Sequence, residues 1–90
     1  MNLYRHIVVK GRVQGVGFRF HTRKQATKLN LHGYVRNLAN GDVEILAYGD
    51  SHALQQLLAW CRQGPQWADV AEVIVNEHAS DEVLSGFEIR

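Results

Sequence analysis

Ninety residues with ten Lys and Arg against nine Asp and Glu carry a net charge of only +1, so no general field draws the chain to nucleic acid or to an anionic membrane. At this length one two-layer core is all that can be buried, and the expectation is a single domain over residues 1–90. One cysteine, Cys61, excludes an internal disulfide, no apolar run reaches the roughly 20 residues needed to span a bilayer, and the first residues lack a signal peptide's apolar run, so a cytoplasmic monomer is expected.

Residues 4–13 centre on the β-branched run Ile7-Val8-Val9, which suits a strand in the middle of a sheet. The glycine-rich stretch Gln14-Gly15-Val16-Gly17 ends it. From about Phe20 to Leu29 good helix formers dominate, with Thr22, Ala26 and Leu29 on one face and Arg23, Lys24, Gln25, Thr27 and Lys28 covering the rest. Residues 32–38 and 42–48 read as strands, and Asn40-Gly41 between them predicts a type I′ hairpin turn, which needs positive φ at both central residues. Ser51 is the expected cap of a second helix whose Leu54, Leu57, Leu58 and Cys61 fall at i, i+3, i+4 and i+7, and Gly64-Pro65 stops it. Residues 70–76 are another β-branched run, and after the polar stretch 77–85 residues 87–90 could add a short edge strand. The order β-α-β-β-α-β is that of an α+β, ferredoxin-like sandwich, an antiparallel sheet with two helices on one face. That superfold hosts many functions, so function has to come from particular residues.

Glycines at 15 and 17 permit positive φ at alternate positions, which can aim the backbone N–H groups of Gln14, Gly15, Val16, Gly17, Phe18 and Arg19 into one anion-binding concavity. A helix N-terminus behind the turn adds partial positive charge, and Arg19 adds a full charge with bidentate geometry. On these residues alone a plainer role is equally open: the glycines reverse the chain, Arg19 is solvated, and Thr22 with Gln25 forms a capping box. A Walker loop is excluded because neither Lys nor Ser/Thr stands in the required place, and the dinucleotide fingerprint fails because position 20 is Phe. Asn37 ends the second strand, where its amide either projects toward the glycine loop or bonds the nearby turn, the commoner use of Asn there. Arg36 should point to the opposite side of the sheet. His6, His21, His32, His52 and His78 are dispersed without ligand spacing, so no metal site is expected and most should be exposed. Cys61 reads as a small core residue, and Trp60 and Trp67 as packing residues.

The run Gly11-Arg12-Val13-Gln14-Gly15-Val16-Gly17-Phe18-Arg19, followed by Gly33-Tyr34-Val35-Arg36-Asn37-Leu38 and Asn40-Gly41-Asp42-Val43-Glu44, resembles the two signatures of the acylphosphatase family. Gly64-Pro65 with Ala68 and Val70, and the terminal Phe87-Glu88-Ile89-Arg90, extend the resemblance along nearly the whole chain. What it implies is hydrolysis of the carboxyl–phosphate bond of an acyl phosphate to a carboxylate and inorganic phosphate, with no metal or other cofactor. It further implies that Arg19 binds the phosphoryl oxygens, that Asn37 orients the attacking water, and that the amides of residues 14–19 cradle the phosphoryl group. Free phosphate or sulfate would occupy the same cradle. Leu38 stands where the family often has a polar residue, and the disulfide of some bacterial members is excluded by the single cysteine.

The implied chemistry matches the residue types. The leaving group is a carboxylate whose conjugate acid has a pKa of about 4, close to that of Glu, so no general acid is required near neutrality. With no protein base in the loop, a water held by Asn37 could lose its proton to a phosphoryl oxygen of the substrate. Two other classes stay in view. An RNA-binding module of the same topology needs aromatics on its central strands and a basic surface, and the third strand offers only Tyr48. A non-catalytic phosphate-binding domain is the other, since the same signature occurs within larger carbamoyl-phosphate-handling maturation proteins.

Overall fold

A computed structural model of the chain describes residues 1–77 and 84–90. Strand β1 (Asn2–Arg12) is central, as its apolar run requires: it pairs antiparallel with β3 (Val43–Asp50) on one side and with β4 (Asp69–Glu77) on the other. Strand β2 (His32–Asn37) pairs antiparallel with β3, and the short β5 (Phe87–Ile89) adds to β2 in parallel. The sheet order is β4-β1-β3-β2-β5. Helix α1 (Phe18–Lys28) connects β1 to β2, and α2 (Ser51–Gln63) connects β3 to β4. This is the ferredoxin-like α+β arrangement, with one extra strand at the β2 edge.

Alternation along the strands sends Ile7 and Val9 of β1, Val35 of β2, and Val43, Ile45 and Ala47 of β3 to the helix side, where they join Phe18, Ala26, Leu54, Leu57 and Cys61 in one buried cluster. Burial pushes the Cys61 thiol up to about 12, so it stays neutral and behaves as a small apolar group. Phe18, the first residue of α1, is 1% exposed and packs against Trp60 of α2 at 5.3 Å between ring centroids. Burying such a ring is worth roughly 1.5–3 kcal/mol, which fixes where α1 begins and therefore the glycine loop just before it.

Several local expectations need correction. Helix α1 starts at Phe18, two residues early, with Gly17 as its N-cap and no side-chain cap hydrogen bond. Thr22 therefore lies inside the helix, and its hydroxyl donates to the Phe18 carbonyl at 2.7 Å, so the capping box with Gln25 does not form. In α2 the cap is Asp50 rather than Ser51, its carboxylate accepting from the His52 and Ala53 amides. The β2–β3 turn is not type I′, because among the described residues Asn30 is the only non-glycine with positive φ. Instead Gly41 N–H donates to the Leu38 carbonyl at 3.2 Å, and Gly41 alone, at φ 98°, takes the special conformation, as in a three-residue hairpin loop with a glycine bulge. Trp67 does not pack. The turn closed by the Ala68 amide on the Pro65 carbonyl leaves its side chain 72% exposed. Of the described histidines, only His52 is exposed; His6, His21 and His32 are half-buried, His6 against Glu44 and His32 accepting from the Gly86 amide. His78 and most of the polar stretch 77–85 lie outside the described residues.

Candidate active site

Residues 13–17 form the loop between β1 and α1. Gly15 (φ 75°) and Gly17 (φ 79°, ψ 17°) both adopt left-handed conformations, with one ordinary residue, Val16, between them. Such an alternation is the backbone geometry that allows successive peptide N–H groups to share one side. Among the described residues none of the backbone N–H groups of residues 14–19 donates to another backbone group, and the first bond of the helix is from the His21 amide to the Gly17 carbonyl at 3.0 Å. The α1 N-terminus thus presents open donors, has no acidic residue in its first turn and carries the positive end of the helix dipole.

Asn37 is the last residue of β2, paired with Val43. Its strand neighbour Arg36 points the other way and pairs with Glu44 on the outer face. Asn37 shares the helix side with Val35, so its carboxamide projects at the sheet end next to the loop. Among the described residues that carboxamide has no hydrogen-bond partner, which removes the turn-bonding role that Asn often fills. Asn40 fills that role: its Oδ1 accepts from the Asp42 amide at 3.0 Å and its Nδ2 donates to the Asp42 carboxylate at 3.1 Å.

Gln14 differs from the reading of it as simply the first amide of a cradle. Its side-chain Nε2 donates to the Leu38 carbonyl at 2.7 Å and to the Asp42 carbonyl at 2.8 Å, clamping both strands of the β2–β3 hairpin just beyond Asn37. Lys10 adds a second tie, from its Nζ to the carboxylate of the buried Asp42 at 2.7 Å, and this bond raises the Lys10 pKa. Leu38 takes part through its backbone: its carbonyl receives Gln14 and its N–H donates to the Asp42 carbonyl at 2.8 Å. These ties hold the glycine loop and the Asn37 strand end in fixed relation. Sequence reasoning missed them because both acceptors of Gln14 are backbone groups, 24 and 28 residues away.

A cleft of about 190 Å³ opens where the parts meet. Gly15, Gly17, Phe18, Arg19 and Asn37 all line it, so five of the seven expected site residues converge. Gln14 and Val16 do not line it. Phe20 and Ile89 do, and neither was singled out from sequence as a site residue. Arg19 is half-buried and is the one charged side chain among the described lining residues; its Nη1 lies 3.5 Å from the Arg90 backbone oxygen, at the limit of a hydrogen bond. Open amides, a helix N-terminus and one guanidinium make a set suited to a tetrahedral oxyanion, with a carboxamide at its rim that can both donate to and accept from a water. No group of three or more His, Cys, Asp or Glu among the described residues is disposed to hold a metal ion. No helix among them is long and apolar enough to cross a membrane.

Fold and cleft together define a small α+β domain with an anion-suited loop at a helix N-terminus. The acylphosphatase family model matches residues 5–89, and the chain belongs to the acylphosphatase family. It is 48% identical to the acylphosphatase of Vibrio parahaemolyticus over 82 residues, spanning 91% of this chain and 90% of that one. The solved acylphosphatase structure from Coxiella burnetii superposes with a TM-score of 0.93 at 39% identity, covering 99% of this chain and 93% of that one. The crystal structure of T. kodakarensis HypF also matches, with a TM-score of 0.85 and 30% identity, covering all of this chain and 12% of that much longer one. As a member of its family the chain is a hydrolase of the acylphosphatase class.

Proposed function

We propose that the chain hydrolyses small-molecule acyl phosphates by attack of an Asn37-held water on a phosphoryl group bound by Arg19 and the loop amides. The observation that carries this reading is the convergence of an unpartnered carboxamide, one guanidinium and open loop amides on one cleft. Arg19 and the amides of residues 14–19 take the phosphoryl oxygens and spread the charge that the loose transition state develops on them. Asn37 fixes the water opposite the leaving carboxylate, so that the protein contributes position and charge rather than a proton shuttle. The water's proton passes to a phosphoryl oxygen, and the carboxylate leaves as the anion. Neither a metal ion nor a partner protein has a part in this scheme, which one chain in solution completes.

The test is turnover of benzoyl phosphate in the presence of a chelator. Arg19→Ala should lose both turnover and phosphate binding with the fold intact, whereas Asn37→Ala should lose turnover by about 100-fold or more and keep its phosphate affinity. Arg19→Lys keeps the charge but not the planar fork, and should stay close to Arg19→Ala. Near-normal turnover by Asn37→Ala would remove the water-holding role. The HypF match favours a second reading, a phosphate-binding domain without catalysis. Under that reading the wild-type chain binds phosphate or sulfate but turns nothing over.

A further inference from the structure

Resting on the function proposed above, we infer that Phe20 and Ile89 read the acyl half of the substrate and select acyl phosphates whose acyl chain is uncharged and apolar. Four large hydrophobic residues stand exposed among the described residues, and two of them, Phe20 at 53% and Ile89 at 36%, line this one cleft. They come from different elements, the first turn of α1 and the β5 edge, so neither is placed there by the other's local sequence. Phe20 directly follows Arg19, and its ring is steadied by an edge contact with the His21 ring at 5.2 Å and 83°. Beside the polar groups of Arg19 and Asn37, these two side chains give the same cleft an exposed apolar surface.

The charges of the cleft sharpen the class. Arg19 is the one cation among the described lining residues, and the phosphoryl group engages it. Among the described lining residues no second cationic side chain stands to receive the free carboxylate of a dicarboxylic acyl phosphate, and no carboxylate side chain stands to receive the ammonium of an aminoacyl phosphate. With the phosphoryl group in the amide cradle, the acyl chain leaves the site past Phe20 and Ile89. An aliphatic or aromatic chain covers both side chains there, while a charged one would be desolvated against them.

A homologous series of acetyl, butanoyl and hexanoyl phosphate isolates this contact, because the leaving-group acidity is nearly constant along it. Each methylene buried against the wall should raise kcat/KM by up to about fourfold, so butanoyl phosphate should exceed acetyl phosphate by roughly tenfold, chiefly through KM. Succinyl phosphate, with the same four carbons and a carboxylate, should fall at least about tenfold below butanoyl phosphate. Phe20→Ala should bring the butanoyl-to-acetyl ratio to about two, Ile89→Ala should lower it part of the way, and Phe20→Leu should keep most of it. Loss of folded protein lowers both substrates alike and leaves the ratio untouched. A flat wild-type series, or an unchanged ratio in Phe20→Ala, overturns the acyl-chain assignment while the proposed hydrolysis stands. No turnover of any of the four substrates overturns the proposed hydrolysis and this inference with it.

Discussion

Replacing Gln14 tests how far its side chain holds the glycine loop and the Asn37 strand end in register, with the Lys10–Asp42 tie left in place. The carboxamide makes two short hydrogen bonds, to the Leu38 and Asp42 carbonyls. Neither carbonyl would be orphaned by its loss, since the Gly41 amide still donates to Leu38 O and the Leu38 amide to Asp42 O. The cost is therefore the ordinary net value of about 1 kcal/mol per bond, near 2 kcal/mol in total, and not the larger penalty of stranded buried acceptors. Gln14→Met separates this effect from packing, because it fills the same space without a donor. For a domain of 90 residues such a loss lowers the melting temperature by about 8–16 °C, and the urea midpoint by about 1–2 M. Gln14→Glu should be worse than Gln14→Met, as a carboxylate would face two carbonyl oxygens. Turnover should fall by more than stability explains, about 10- to 100-fold under conditions where each variant is fully folded, because the cradle and Asn37 no longer keep their spacing. A Gln14→Met protein with a wild-type urea midpoint and wild-type turnover would refute the clamp.

Two further perturbations probe the loop and the outer sheet face. A Cβ at Gly15 meets nothing within 4 Å, and one at Gly17 meets only the His21 ring at 3.4 Å, so alanine at either position costs mainly left-handed backbone strain, about 1–2 kcal/mol. Gly17→Ala should lower the melting temperature by about 4–16 °C and weaken phosphate binding by tenfold or more, read by calorimetry on the folded variant; unchanged phosphate affinity would show that the left-handed turn does not shape the cradle. On the outer face, burial pushes the Glu44 carboxyl up, but hydrogen bonds from His6 and Arg36 outweigh it and hold the group below its ordinary 4.5. A carboxyl lowered in the folded state contributes stability above its unfolded pKa and loses it as pH falls through the folded value. Wild type should thus be more stable than Glu44→Gln at pH 7, and the gap in urea midpoint should close as pH drops below about 4.5. A pH-independent gap would mean that the contribution of Glu44 is not ionic.

Much of the fold was legible because its signals are local. The Ile7-Val8-Val9 run marks a strand with neighbours on both sides, and Leu54, Leu57 and Cys61 mark the buried face of α2 by spacing alone. The expected site residues Gly15, Gly17, Phe18, Arg19 and Asn37 do share one cleft, and the glycines take the positive φ expected of them. What escaped has non-local causes. The start of α1 is set by the burial of Phe18 against α2 instead of by a polar cap. Asn40 serves the hairpin through its side chain and not through a left-handed backbone, in a loop that Gln14 and Lys10 also tie through Leu38 and Asp42. Phe20 read as the start of a helix and as the residue that breaks a dinucleotide motif, and Ile89, which lines the same cleft, arrives from the opposite end of the chain.

In the proposed reaction, water held by Asn37 attacks phosphorus and the carboxylate departs with its bridging oxygen. Hydrolysis of benzoyl phosphate in ¹⁸O-labelled water, with both products read by mass spectrometry after a single turnover, tests this directly. Attack at phosphorus leaves one ¹⁸O in inorganic phosphate and none in benzoate, with the labelled product lost in Asn37→Ala. Label in the benzoate would place the attack on the carbonyl carbon and contradict it.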